Sequence, residues 1–534
     1  MTWAGRFRRT REGEFPVGLA LLCAAIAAAL VSPLLWLFVE AATIDAERAT
    51  DLLFRPQTVD ILVNSLLLMG GVTAFSVVLG VPLAYLTVRT DLPFRRFWSV
   101  AVALPLVIPS YIGAFAFVSA FGPRGEFQSA LSPLGIGSLP EIYGLPGSVF
   151  VITLYTYPYV YLTTRAALLS FDTQLIDAAQ TLNHGRLAAF RRVTLPQIRP
   201  AVAAGGLLCA LYAVSDFGTP AIMQLPVFTR QIYVENNAFG SEYAALLSLQ
   251  LLALVLVVLA IESWVRPEHS GGSGDANRGQ SRRVRLGAWR WPATLLPGAV
   301  TVTALAVPVW ILLLWVQRTG SSYRSDVTFE WIQAINSVSV AIPAALLAAL
   351  AALPIAYFAA TDDSRLATLF ERTTYIGFAV PGIVLALALV YFGAGYAPWL
   401  YQTVPLLVFA YVVRFLPQAV GSLRGSLLQI DQQLVEAGRT LGESSMGAFR
   451  RITLPLVRSG IVAGSALVFL TTMKELPVTL ILRPTGFETM VTQIWKAQDA
   501  ALYQHAAVPA ILLLVISGLS MVVLLSQEGG ERGL

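Results

Sequence analysis

The sequence predicts an all-α polytopic membrane protein with about twelve transmembrane helices in two similar six-helix halves. Three observations predict this class. Of the 534 residues, 56% are hydrophobic and 13% are charged, whereas soluble domains carry about 25% charged residues. Charge-poor runs recur along the whole chain, and one block of sequence occurs twice. The composition excludes an ordinary soluble enzyme and a disordered chain.

Each half contains six charge-poor runs that we assign as membrane spans, since about 20 apolar residues cross a bilayer as a helix. In the first half these runs are Pro16–Val39, Ile61–Val88, Phe97–Phe121, Leu145–Thr164, Ala201–Val214 and Tyr243–Ile261. In the second half they are Thr294–Val316, Trp331–Ala360, Thr373–Val390, Thr403–Val420, Ser459–Met473 and Ala506–Ser526.

Basic residues mark the cytoplasmic side, because positively charged loops remain inside. They cluster in the N-terminal segment, in the second-to-third span loop and after the fourth span, so both termini are predicted to be cytoplasmic. This distribution also accounts for the net charge of +5 without a nucleic-acid partner. Residues 266–289 are polar, basic and rich in Gly and Ser, which predicts a flexible cytoplasmic linker. The linker separates a first half, 1–265, from a second half, 290–534.

The two halves repeat each other. The block Asp177–Pro196 matches Glu436–Pro455 at an offset of 259 residues, and the same offset aligns Asp216 with Glu475. Asn64-Ser65 and Asn336-Ser337 align at an offset of 272. The first half therefore has 13 additional residues, which fall in the outward loop around residues 122–147. Such a repeat predicts a pseudo-symmetric bundle with a pathway between the halves.

Each repeated block, 177–196 and 436–455, reads as a short amphipathic helix, a turn and a second short helix ending in Leu-Pro. Small residues permit close approach of another surface, and glycine permits a left-handed turn. A structural cytoplasmic loop explains one copy, but two copies favour a docking site for two copies of a partner. The docking residues that we predict are Asp177, Ala178, Ala179, Asn183, Leu195 and Pro196 in the first loop, and Glu436, Ala437, Gly438, Gly442, Leu454 and Pro455 in the second.

These blocks resemble the EAA loop of binding-protein-dependent ABC importer permeases. The resemblance implies the type I importer fold and a coupling helix that inserts into a separate ATPase subunit. The second loop departs from the family pattern at Gly438, and the first at Asp177, Asn183 and Val193. The chain has no Walker A motif. We therefore expect a permease subunit and not an enzyme, with no cofactor of its own, whereas ATP and Mg bind two copies of the ATPase.

A narrower resemblance involves the fused two-half layout and the segments Ser215–Tyr233 and Met473–Trp495. Together they resemble the iron(III) permeases of the ferric-binding-protein type. This implies a cell inner-membrane location among membrane lipid, and an extracytoplasmic binding protein that delivers iron(III). Permeases for thiamine, polyamines and aminoalkylphosphonates are related and remain alternatives. A secondary transporter is a further alternative from a different class.

Charged residues inside spans are costly and indicate function or pairing. Asp216 and Glu475 occupy equivalent places in the fifth spans, next to predicted helix breaks, and Tyr212 lies one helical turn before Asp216. Carboxylates suit a hard trivalent cation, so both are candidate transient iron ligands, although no resident metal site is predicted. Helix capping is the alternative. Arg414 either pairs with a carboxylate, extends to the inner surface or meets an anion travelling with iron.

Overall fold

The protein is described by a computed structural model that covers residues 17–122, 127, 142–170, 190–265, 284–317, 328–362 and 364–529. Within these residues the secondary structure is helical, apart from one isolated β-bridge between Thr90 and Val284. The all-α prediction is confirmed.

Among the described residues, ten α-helices of the first half follow the order that the hydropathy pattern predicts, with short helices at the loops. They are α1 (Val17–Ala42), α2 (Ala46–Phe54), α3 (Pro56–Arg89), α4 (Arg95–Ala101), α5 (Ser110–Phe121), α6 (Gly144–Ser170), α7 (Leu195–Ser215), α8 (Gly218–Ile222), α9 (Phe228–Asn237) and α10 (Ser241–Val265).

The second half repeats this order. Its helices are α11 (Leu295–Thr301), α12 (Val307–Gln317), α13 (Trp331–Thr361), α14 (Arg365–Ala379), α15 (Gly382–Tyr396), α16 (Val404–Leu428), α17 (Gln432–Thr440), α18 (Ser445–Ala448), α19 (Leu454–Leu456), α20 (Arg458–Thr472), α21 (Pro477–Leu482), α22 (Met490–Asp499) and α23 (Tyr503–Gly529). Among the described residues, seven helices are long and apolar enough to cross a membrane, or up to ten if each bent pair counts as one span.

The third span of each half is bent, which the sequence did not predict. The helix pair in the first half meets at 91°, and α14 meets α15 at 97°. Pro109 and Pro381 stand at the N-caps of α5 and α15, and the residues before them are extended. Proline disfavours a helical conformation in the preceding residue, which accounts for the bends within the predicted spans Phe97–Phe121 and Thr373–Val390.

Each half is organised around three packed helices. In the first half α3, α6 and α7 pack together, and in the second half α13, α16 and α20 do so. A Cβ atom at Gly205 would lie 2.7 Å from the Cα of Val160, and one at Gly464 would lie 3.1 Å from the Cα of Ala419. Both pairs are related by the offset of 259 residues. Small residues that admit close helix contact are typical of membrane bundles.

The first helix of each half packs on the other half. Helix α1 contacts α14 and α15, where Trp36 lies 4.2 Å from Tyr396 between ring centroids. Reciprocally, α12 contacts α5, and Ile311 is fully buried against Ala116 and Ala120. This exchange joins the halves into one bundle.

The end of the predicted linker is ordered against the first half. The Val284 amide donates to the carbonyl of Arg89 at 2.8 Å, and the Leu286 amide donates to Oδ1 of Asp91 at 2.8 Å. A 3₁₀ turn, Gly287–Arg290, follows. The remaining linker residues, 266–283, lie outside the described part of the chain.

Candidate substrate pathway and cytoplasmic coupling loop

The helix breaks after α7 and α20 meet at the interface between the halves. A Cβ atom at Gly218 would lie 2.5 Å from the Cβ of Tyr111 and 3.4 Å from Cδ2 of Leu476, which belongs to the other half. The Tyr111 hydroxyl donates across the interface to the carbonyl oxygen of Lys474 at 3.4 Å. The two predicted carboxylates, Asp216 and Glu475, therefore flank one shared contact, which we call the break site.

Hydroxyl groups hold the carboxylate of the first half. The Ser110 hydroxyl lies 3.1 Å from both carboxylate oxygens of Asp216, and the Tyr212 hydroxyl donates to Ser110 Oγ at 3.1 Å. Tyr212 is therefore linked to Asp216 through the Ser110 hydroxyl. The helical spacing predicted that Tyr212 lies near Asp216, but it did not predict the intervening serine. The Thr229 hydroxyl donates to the Asp216 carbonyl at 2.8 Å. No side-chain ion pair with Asp216 occurs among the described residues.

An ion pair holds the carboxylate of the second half. Nε of Arg414 lies 3.2 Å from Oε2 of Glu475, and the side chains are 17% and 9% exposed. The Arg414 guanidinium also donates to the Val380 carbonyl at 3.0 Å. Of the alternatives for Arg414, pairing with a carboxylate is the one that the geometry shows. Buried charges in membrane proteins require such partners.

Two substitutions between the halves explain the different partners. Gly382 stands where the first half has Ser110, and a Cβ atom there would lie 2.7 Å from Oε1 of Glu475. Tyr155 stands where the second half has Arg414, and its hydroxyl donates to the Ala304 carbonyl at 3.4 Å. Glycine at 382 thus leaves room for the ion pair, whereas serine at 110 supplies a hydroxyl to the shorter carboxylate.

The break site is not a preformed metal centre within the described residues, where no group of three or more His, Cys, Asp or Glu side chains converges. Transient iron ligation by Asp216 and Glu475 stays a prediction. Neighbouring polar atoms are unsatisfied. Oε1 of Glu475 and Oγ1 of Thr472 are buried without a hydrogen-bond partner among the described residues.

An aromatic cluster joins the two halves beside the break site. Phe217 of the first half lies 5.2 Å from Trp495 of the second, and Tyr233 lies 5.7 Å from Trp495, between ring centroids. Phe217 is 1% exposed. The halves are therefore in contact just outside the break site.

The recurring Asn-Ser pairs position the outward segments, a role that sequence reasoning missed. Nδ2 of Asn64 donates to the Pro226 carbonyl at 3.1 Å, and Nδ2 of Asn336 donates to the Glu488 carbonyl at 2.9 Å. Beside them, Ser65 and Ser337 accept hydrogen bonds from the backbone amides that begin α9 and α22, at 3.2 and 2.9 Å. The recurrence of the Asn-Ser pair at equivalent positions of both halves was the signal in the sequence. It does not show that the asparagine side chains bind backbone carbonyls of a loop.

The second repeated loop, 436–455, has the helix–turn–helix form that its sequence indicates. Gly442 has a φ of +95°, directly after α17. Glu436 and Ala437 are exposed, whereas Gly438 is buried and a Cβ atom there would lie 2.3 Å from Cδ1 of Ile452. The small residue at 438 therefore admits the second short helix of its own loop. Leu454 and Pro455 begin α19.

The first loop is described only at its end. Asp177, Ala178, Ala179 and Asn183 lie outside the described residues. Leu195 and Pro196 begin α7 directly after a π-helical turn, Phe190–Thr194, and the second loop has an equivalent turn, Phe449–Thr453. The two copies therefore enter their spans alike.

These features define a class of protein: an all-α polytopic membrane protein of two fused, similar halves, with an exposed helical loop in front of the fifth span of the second half. Sequence comparison is consistent with this class. The profile of the binding-protein-dependent transport system inner membrane component matches residues 76–268 and 352–527. The chain belongs to this family and is a multi-pass inner-membrane ABC importer permease, which is not itself an enzyme.

Relatives with known names show how the family varies. The chain is 32% identical over 520 residues to the Fe(3+)-transport system permease protein FbpB 2 of Haemophilus influenzae, covering 95% of this chain and 98% of the relative. It is 24% identical to the ferric transport system permease protein FbpB of Actinobacillus pleuropneumoniae, covering 90% and 73%. It is 28% identical to the molybdenum transport system permease protein ModB of Azotobacter vinelandii, covering 32% and 77%. Membership in the family implies ATPase and substrate-binding partners.

Proposed function

We propose that this permease translocates iron(III) delivered by an extracytoplasmic binding protein. The observation that carries the proposal is the similarity of the chain, along nearly its whole length, to a relative named as an Fe(3+)-transport permease. The break site supports it, because two carboxylates stand beside unwound backbone between the halves. Unwound helices provide polar groups along transport pathways, and oxygen ligands suit hard cations.

Two ATPase copies dock at the loops 177–196 and 436–455 in this proposal, and they bind the ATP and Mg. The second loop presents apolar side chains to solvent: Leu441 is 87% exposed, Met446 is 59% exposed and Leu434 is 53% exposed. Exposed apolar residues beside polar ones are typical of protein-binding surfaces. Both termini and the linker, 266–289, belong on this cytoplasmic side.

In this proposal the side chains that contact iron are Asp216, Tyr212 and Glu475. Arg414 offsets part of the negative charge of the Glu475 carboxylate through the ion pair. The arrangement distinguishes the two carboxylates. Asp216 is free of cationic partners among the described residues, whereas the Glu475 carboxylate is shared with Arg414. We therefore expect Asp216 to contribute more to cation affinity than Glu475.

The test is uptake into vesicles that contain the permease and its ATPase, supplied with the binding protein and with radiolabelled iron(III) or thiamine. ATP-dependent iron uptake, without thiamine uptake, supports the proposal. Thiamine uptake alone refutes the substrate and leaves the importer class intact. The same assay separates polyamines and aminoalkylphosphonates, and uptake without any ATPase would indicate a secondary transporter.

The double variant Asp216→Asn with Glu475→Gln tests the pathway residues. It is expected to lower iron uptake while the permease still copurifies with its ATPase, because both substitutions nearly preserve shape. Asn64→Ser is a control that alters a polar residue of the outward segments and leaves both carboxylates in place. Unchanged iron uptake in the double variant would show that the two carboxylates only cap helix ends and do not bind the transported cation.

A further inference from the structure

We propose that the loop between the second and third spans, together with the ordered end of the linker, binds the headgroup of an anionic phospholipid. The binding surface, which we call the basic aromatic patch, consists of residues 91–97 and 284–291. The group that it recognises is a phosphodiester attached to acyl chains. Binding there goes beyond the transport function and does not depend on the transported substrate, although it uses the cytoplasmic placement of the linker proposed above.

A cavity in the loop provides the place for a headgroup. Its volume is about 430 Å³, and it is lined by Asp91, Leu92, Phe94, Arg95, Arg96 and Phe97. Two arginines therefore border one cavity, and a guanidinium matches the geometry of phosphate oxygens with paired N–H donors. The carboxylate in this set is engaged by the linker, since Oδ1 of Asp91 accepts from the Leu286 amide at 2.8 Å.

Further hydrogen bonds join the linker end to this loop. The Asp91 amide donates to the Val284 carbonyl at 3.2 Å, so Asp91 is bonded to the linker through both its backbone and its side chain. From Leu286 the 3₁₀ turn continues to Trp289, whose amide donates to the Leu286 carbonyl at 3.1 Å. The linker end therefore lies beside the cavity and continues its surface.

The large aromatic side chains of the patch are exposed. Phe94 and Trp289 are each 72% exposed, and Phe97 and Trp291 are more than half exposed. The Arg290 guanidinium lies 5.7 Å from the ring centroid of Trp291. Exposed aromatic rings mixed with basic side chains are typical of segments that lie in the membrane interface.

Helix packing places the patch where three segments meet the membrane surface. Helix α3 ends at Arg89, α4 begins at Arg95 and α11 begins at Leu295, and α4 packs on both of the other helices. A Cβ atom at Gly298 in α11 would lie 3.6 Å from Cη2 of Trp98 in α4. Phospholipid headgroups lie at the ends of membrane spans, and basic residues there attract anionic lipids.

The corresponding sequence of the second half lacks the patch. At the offset of 272 residues, Phe94, Arg95, Arg96 and Phe97 correspond to Leu366, Ala367, Thr368 and Leu369. The second half nevertheless forms the same bent span. Since the bend does not require the arginines and the aromatic rings, a ligand that binds the first half alone accounts for them.

The experiment measures lipid retention by the intact complex of permease and ATPase. The complex is purified in mild detergent and titrated with phosphatidylglycerol or with neutral phosphatidylcholine, and mass spectrometry counts the bound lipids. The wild type is expected to retain at least one phosphatidylglycerol in preference to phosphatidylcholine. Equal retention of the two lipids would overturn the proposal, and so would displacement of phosphatidylglycerol by inorganic phosphate. The assay contains no iron, so its outcome is separate from that of the transport function.

A matched pair of double variants locates the lipid site. Each nearby basic residue contributes about fivefold to the affinity for anionic lipid, so Arg95→Gln with Arg96→Gln should weaken phosphatidylglycerol binding roughly 25-fold. The control Arg365→Gln with Arg372→Gln removes two exposed arginines from α14 and should leave this binding unchanged. Equal weakening by both pairs would contradict the assignment.

A third variant separates lipid binding from folding and from protein contact. Trp289→Ala keeps the net charge and changes a side chain that is mostly exposed, so the fold should be retained while phosphatidylglycerol binding weakens several-fold. Unchanged lipid binding in Trp289→Ala would contradict a role for the linker end. Loss of the ATPase from the Arg95→Gln, Arg96→Gln complex, with lipid retention unchanged, would make the patch a protein contact and overturn the proposal.

Discussion

Replacement of Arg414 by methionine is expected to destabilise the permease strongly. The Arg414–Glu475 pair is mostly buried, with exposures of 17% and 9%. Removal of one member of a buried pair costs about 3–5 kcal/mol, because the other charge remains buried alone. The substitution also leaves the Val380 carbonyl without its donor. Because both side chains keep some exposure to solvent, we expect the lower end of this range, about 3 kcal/mol.

The assay is the free energy of unfolding, measured by titrating the purified permease from mild detergent into denaturing detergent. Tyr155→Phe is the matched control, because Tyr155 is the equivalent of Arg414 in the first half and loses one hydrogen bond of 3.4 Å. Such a loss costs about 1 kcal/mol. The double variant Arg414→Met with Glu475→Met should recover most of the loss, because an apolar pair replaces the ionic pair. If Arg414→Met and Tyr155→Phe cost the same, the ion pair does not stabilise the fold.

Three further predictions concern the loops. Gly442→Val places a β-branched residue at a φ of +95°, which costs about 1–2 kcal/mol. This variant should lower binding-protein-stimulated ATPase activity several-fold. The control Gly421→Val, on an exposed face of α16, should leave that activity unchanged. Glu436→Lys should uncouple transport more than Asp177→Lys, because the second loop matches the family pattern better; equal ATP-to-iron ratios would refute this. Burial raises the pKa of the Glu488 carboxyl, but hydrogen bonds and the charge of its arginine partner outweigh burial and hold the pKa below its usual value of 4.5. The ionised Glu488 therefore stabilises the fold fully above that pH, and this stabilisation is lost as the pH falls through the lowered pKa. The protection factors of the α22 amides, which correct for the slower intrinsic hydrogen exchange in acid, should therefore decrease at low pH in the wild type and change less in Glu488→Gln.

The sequence predicted the helical class and the repeat because both depend on local composition and spacing. Each of the twelve predicted runs overlaps a helix or a bent helix pair of the structure. The bends before Pro109 and Pro381 were not predicted, although the two prolines stand at equivalent positions of the two halves, at the offset of 272 residues. A window of hydropathy averages over a bend, since residues on both sides are equally apolar. The backbone restriction before proline was the signal that could have located it.

The candidate site was predicted in part for a similar reason. A carboxylate inside an apolar run is conspicuous, so Asp216, Glu475 and Arg414 could be selected from the sequence. Their partners could not, because Ser110 and Gly382 are ordinary residues whose role depends on tertiary contact with another helix. The sequence likewise left open whether Arg414 pairs, extends to the surface or binds an anion. Only the 3.2 Å separation from Glu475 decides among these.

The two halves are equivalent in the contacts that pack their helices, and they differ in the partners of their charged residues. Close helix contacts at Gly205 and Gly464, and hydrogen bonds from Asn64 and Asn336, occur at matching positions in both halves. These contacts fix helix spacing and loop position, which both halves need equally. The break site lacks this equivalence, because hydroxyl groups hold the carboxylate of the first half whereas a guanidinium holds the carboxylate of the second half. A substrate between the halves therefore meets two chemically different walls.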